Sequence, residues 1–209
     1  LSKEYAHLAH GGSHLHKGSL EEAEQYLLKA VDLSERIGDV TVDSAAHLWL
    51  GDTYFGIGEY NKSRGHAEEA ISVCQRGRLW PSWVNMGKIM IAVAKAMNKE
   101  KDINLKEIFG WYQDIRSKWL EACVARYIGE ILLNIDDQHM DEAEDWIRKA
   151  IEGDKRDGRI WEVGRAHALY AELQKRRGDL SGARDNLSQA IAILKECGAD
   201  GWVRRYEEE

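Results

Sequence analysis

Gly178-Asp-Leu-Ser-Gly-Ala183, followed seven residues later by Ala190, decides the fold, because the same phrase occurs three times earlier in the chain. The earlier copies are Gly18-Ser-Leu-Glu-Glu-Ala23 with Ala30, Gly58-Glu-Tyr-Asn-Lys-Ser63 with Ala70, and His139-Met-Asp-Glu-Ala143 with Ala150. Their small residues stand at 23, 63, 143 and 183, in steps of 40, 80 and 40 residues. A fixed period of this length is the mark of a stacked helical repeat, whose units bury their apolar faces only against neighbours. Such a chain is expected to be a scaffold that binds something, and not an enzyme.

Working outward from the first copy, Leu20, Ala23, Leu27, Ala30, Val31 and Ile37 fall at i, i+3, i+4 and i+7, which predicts a helix from residue 19 to about 36. Ser19 with Glu22 three residues on reads as a capping box, and Gly38 as a left-handed stop. The same reading places helices at about 42–55, 60–76, 81–97, 103–116, 119–134, 140–152, 160–176 and 180–195. Pro81, the single proline, suits a first helical position. The third pair is irregular, since Ile103 and Gly110 stand where other repeats carry a small residue and an alanine. Gly77-Arg-Leu-Trp80 and Gly158-Arg-Ile-Trp161 are near-copies, and with Trp119 and Trp202 they are expected to plug the joints between repeats with aromatic area. Trp202 and Tyr206, four apart, give the stub after Gly198 one apolar face, which is expected to cap the fifth repeat.

Composition narrows the function. The chain has 209 residues, 44% of them hydrophobic, and a formal net charge of −7, which argues against a general nucleic-acid binder. Cys74, Cys123 and Cys197 form no CxxC pair or zinc spacing and read as reduced thiols of a cytoplasmic protein. No apolar run of about eighteen residues is present, so no membrane span is expected. The chain begins at Leu1 without a visible signal peptide and is expected to be a piece of a longer protein.

Leu50-Gly51-Asp-Thr-Tyr54, with Gly58, Tyr60 and Ala70, resembles the tetratricopeptide repeat, in which small residues let neighbouring helices touch and large ones fill the gaps. The forty-residue period is similar to the longer variety in bacterial signalling proteins, including maltose-activator-type regulators and cyclase-linked arrays. The resemblance implies an all-α, right-handed superhelical solenoid of about five repeats, at 1–38, 39–77, 78–117, 118–158 and 159–198, with a terminal capping helix at 199–209. It also implies a concave groove lined by the first helix of each pair. Carried onto the matching helices, the groove residues are Leu48, Asp52 and Phe55, then Arg126, Glu130 and Leu133, then Arg165, Glu172 and Lys175. This mixture of both charge signs with apolar residues suits a protein or peptide partner. A small-ligand sensor controlling an attached effector domain, and self-association through the C-terminal end, are the alternatives.

Chemistry is not expected from this chain. No phosphate-cradling GxxxxGK[ST], no GxSxG and no HExxH occurs, so no catalytic residue, cofactor or metal is assigned. Paired carboxylates on helices read as solvated faces. His7, His10, His14 and His16 crowd the first helix without a carboxylate or cysteine spaced to complete a zinc site, and read as solvated side chains. His7, His47 and His167 share the repeat frame, which makes histidine there a packing residue.

Overall fold

The computed structural model describes residues 2–78 and 80–208. Leu79, within the first Gly-Arg-Leu-Trp copy, lies outside them. The chain is helical throughout the described residues, without a strand. Its contacts divide it into two units, Leu1–Ile115 and Arg116–Glu209. The first holds α1 (Lys3–Lys17), α2 (Leu20–Ile37), α3 (Val40–Ile57), α4 (Tyr60–Arg76), α5 (Pro81–Met97) and α6 (Leu105–Gln113). The second holds α7 (Lys118–Ile135), α8 (Met140–Arg156), α9 (Ile160–Arg176), α10 (Leu180–Glu196) and α11 (Asp200–Glu207), with a short 3-10 turn, Asp137–His139, before α8.

Within each unit consecutive helices pack on one another, in the manner of a helical-repeat solenoid. The turns are short because glycines end the helices in left-handed geometry: Gly38 has φ 77°, and its amide and that of Asp39 both donate to the Ser34 carbonyl. The repeated small residues are the closest points of the stack. Ala23, Ser63 and Ala143, and Ala30, Ala70, Ala150 and Ala190, are all buried. A Cβ on Gly129 of α7 would stand 2.8 Å from Ile147 and 3.5 Å from the Ala143 carbonyl on α8, so a larger residue at either place forces the helices apart. Gly87 makes the corresponding approach to Ala67 and Ile71, which fixes the face that α5 turns to α4.

A following first helix lies in the groove of the pair before it. α3 packs against both α1 and α2, and α9 against both α7 and α8. Tyr54 of α3 donates to Glu24 of α2 at 2.6 Å, and Tyr170 of α9 to Glu144 of α8 at 2.6 Å. The Tyr170 hydroxyl, with Arg148 and Arg177, lowers the Glu144 pKa to about 2.

Four sequence expectations are corrected. Ser19 makes no side-chain cap bond, whereas Asp39 accepts from the Thr41 and Val42 amides, so the carboxylate before α3 does what the hydroxyl before α2 was expected to do. α6 is only nine residues long and starts after Ile103, because Asn104 caps it by accepting from the Glu107 amide. The tryptophan joints fail at two of the four places: Trp202 is 3% exposed and Trp161 half-buried, but Trp80 and Trp119 are 42% and 47% exposed. The reason at Trp80 is register. It precedes α5 at φ 24° and meets Trp83 at 4.7 Å, whereas its sequence counterpart Trp161 is the second residue of α9. The N-terminal histidines are not simply solvated, since His7, His10 and His14 all lie against the Tyr26 ring of α2, at 5.9, 5.3 and 5.3 Å. Among the described residues no helix is long and apolar enough to cross a membrane.

Candidate functional site

The expected groove residues fall in different surroundings. In the first unit Leu48 and Asp52 are buried and Phe55 is half-buried, against Tyr60 at 5.5 Å. In the second unit Arg126, Leu133 and Arg165 are buried, Glu130 and Glu172 are half-buried, and Lys175 is exposed.

Arg126 and Arg165 belong to one interior charge cluster. Arg126 Nε lies 3.2 Å from Glu162 Oε2, and Arg165 Nη1 lies 3.3 Å from Glu162 Oε1. Each guanidinium also covers an aromatic face, Arg126 that of Tyr127 at 4.6 Å and Arg165 that of Trp202 at 4.4 Å. One turn away Arg159 Nη2 meets Asp154 Oδ1 at 2.5 Å and lies over Trp119 at 5.2 Å. Burial raises the Asp154 pKa, the Glu162 carboxylate adds to that, and Arg159 and Arg126 oppose it. Burial likewise raises Glu130 against the pull of Arg126, Arg176 and Arg165. These charges hold α7, α8, α9 and α11 in register. A charge reversal at Arg126 and Arg165, expected from sequence to probe binding alone, therefore strikes the interior of the unit.

Glu172 and Lys175 sit differently. They line an open cleft of about 240 Å³ between α9 and α10, with Ala168, Ala171, Leu180, Ala183, Arg184 and Leu187. Among the described residues the helix that follows this pair, α11, is eight residues long, against eighteen for α3 and seventeen for α9. α11 packs on α10, where Ala190 and Leu194 are buried, and its own Trp202 and Val203 are buried. The rest of the α9–α10 groove is bare, and Leu180 is 56% exposed. Glu172 is held by Arg176 at 2.7 Å and stands 3.9 Å from Lys175, so the charged groups that line the cleft are Lys175 and Arg184 against Glu172.

The repeat frame of histidines forms a third feature. His47 Nδ1 lies 2.9 Å from His66 Nδ1, and His167 Nδ1 lies 3.0 Å from Asn186 Oδ1, each pair nineteen residues apart. His47 and His167, read from the frame as packing residues, each span from the first helix of a pair to the second. Burial lowers all three imidazole pKa values, that of His47 to about 4. Asp43, one turn before His47, is 5% exposed, and burial with the neighbouring Glu35 raises its pKa to about 6. Sequence reasoning treated carboxylates on helices as solvated, which missed Asp43, Asp154 and Glu162. For Asp43 and Glu162 the signal was placement beside apolar and small residues, in Val42-Asp43-Ser-Ala-Ala46 and Glu162-Val-Gly-Arg-Ala166; Asp154, in Glu152-Gly-Asp-Lys-Arg156, carries no such signal.

No curated protein matches the chain. A tetratricopeptide-repeat family model matches residues 5–36, which span α1 and α2. That match makes the first helix pair similar to a tetratricopeptide repeat.

Proposed function

We propose that the chain is a protein-binding module whose partner lays an amphipathic helix into the α9–α10 cleft. Tetratricopeptide repeats generally mediate protein–protein interaction, and the cleft says what kind of partner fits. One observation carries the reading. Leu180 is 56% exposed, whereas Leu20, at the same place in α2, is fully buried where α3 packs on its pair. The vacant groove therefore has the shape that a helix fills elsewhere in this molecule. Lys175 and Arg184 at its rim favour a helix with acidic flanks beside its apolar stripe. The wider setting we infer is a regulatory array of five pairs in a larger bacterial signalling protein, with binding inside the curve through residues such as Glu172 and Lys175.

Peptide-display selection on the full chain tests this. Amphipathic helices with acidic flanks are the expected product, and Leu187→Glu with Arg184→Glu is expected to remove their binding. Selected peptides that bind both chains equally well would refute the cleft. A wild-type dimer that the double variant dissociates assigns the cleft to a second copy instead. The sensor reading requires a small molecule; stabilisation by a metabolite in a thermal-shift screen, at about 2.7 kcal/mol for a hundredfold excess over Kd, would favour it.

A further inference from the structure

The joint between α2 and α3 brings together three side chains whose grouping neither packing nor partner binding explains. Glu35 near the end of α2 and Asp43 and His47 on α3 each offer a ligand atom, and these atoms all lie within 4.8 Å of one another. His47 Nε2 and Asp43 Oδ1 are 3.5 Å apart. That is too long for a good N–H···O bond. It is close to the separation of about 3.4 Å between two ligands held at about 2.1 Å by one tetrahedral ion. Asp43 Oδ1 is buried and accepts no hydrogen bond, an arrangement that costs stability unless a cation or donor meets it.

The surroundings suit a cation. Asp39 and Glu69 lie near enough to act on Asp43 with Glu35, while Arg76 is the one opposing charge among those groups. Arg76 Nη1 is itself engaged with Ser72 Oγ at 2.8 Å. The outer nitrogen of the imidazole is also provided for, since His47 Nδ1 faces His66 Nδ1 at 2.9 Å. With Nε2 on a metal, His47 carries its proton on Nδ1 and donates it to His66. A hydrogen-bonded outer nitrogen of this kind orients a metal-bound histidine.

Packing alone does not call for this combination. The other buried histidine in the frame, His167, meets Asn186, and the residue one turn before it is Val163. Only the second repeat adds an aspartate at that place and a glutamate from the preceding helix.

We propose that Glu35, Asp43 and His47 form a binding site for a borderline divalent metal ion of the Zn2+ class, completed by water. One imidazole with two carboxylates is a donor set that zinc accepts. Closing the longest separation in the group falls to Glu35, which is exposed and free to change rotamer. The ion ties the end of α2 to the first turns of α3.

Calorimetric titration of the chelator-treated full chain with Zn2+ alone tests the site. One equivalent is expected to bind, and Glu35→Gln, at an exposed position that leaves folding intact, is expected to weaken binding about tenfold or more. His47→Gln and Asp43→Asn are expected to abolish it, with circular dichroism confirming that each variant folds. Proton–nitrogen correlation spectra are expected to show His47 protonated on Nδ1 once zinc is added. Absence of binding overturns the proposal. So does binding that Glu35→Gln leaves unchanged, or binding lost instead in His10→Gln with His14→Gln or in Cys197→Ser.

Discussion

α2 and α10 are written alike and treated oppositely. Leu20, Ala23, Leu27 and Ala30 on α2 match Leu180, Ala183, Leu187 and Ala190 on α10 residue for residue. All four are buried in α2, whereas in α10 Ala190 is buried, Ala183 and Leu187 are half-buried and Leu180 is exposed. Among the described residues the difference is the neighbour: eighteen-residue α3 lies along the first pair, and eight-residue α11 along part of the last. A repeat's apolar pattern states which face can be buried, and the next helix decides whether it is.

The largest effect that would break this comparison comes from charge. Arg126→Glu with Arg165→Glu places carboxylates against buried Glu162 and is expected to cost about 3–5 kcal/mol or more, read as a collapse of the melting temperature. Lys175→Glu with Arg184→Glu, at the rim of the bare cleft, is expected to change stability by less than about 0.5 kcal/mol. Equal losses in the two double variants would mean that the α9–α10 cleft is as covered as the interior.

A middle-sized effect separates the matched leucines. Leu20→Ala removes a fully buried side chain and is expected to cost about 2–5 kcal/mol in urea unfolding. Leu180→Ala is expected to stay within about 0.5 kcal/mol. A costly Leu180→Ala in a chain that sediments as a monomer would show that the exposed face is covered after all.

The smallest contrast concerns added bulk. Ala143→Leu overfills the crossing of α7 and α8 and is expected to cost about 1–3 kcal/mol. Ala183→Leu points into the open cleft and is expected to be neutral by thermal melting. If Ala143→Leu melts unchanged, the small-residue register is misplaced.

Much of the fold was legible because the repeat states it several times over. The bounds of α4, α5 and α9 follow from period, proline and glycine, and the small residues mark the crossings, since a close helix approach admits little else. α6 was harder to place, because Asn104 caps it within a stretch lacking the repeated phrase. The candidate site was legible only in part. Glu172 and Lys175 line the cleft, but Arg126 and Arg165 on the same expected surface are interior.

By itself, then, the sequence determined an all-helical stack and the residues at its close contacts, because helical period and side-chain size act over one or two turns. Only the tertiary structure decided which charges are interior, which leucines are bare, and that Glu35, Asp43 and His47 meet. Each of these depends on a second helix. Burial and charge proximity are set by what packs alongside, and an amphipathic face looks the same in sequence whether it is covered or open.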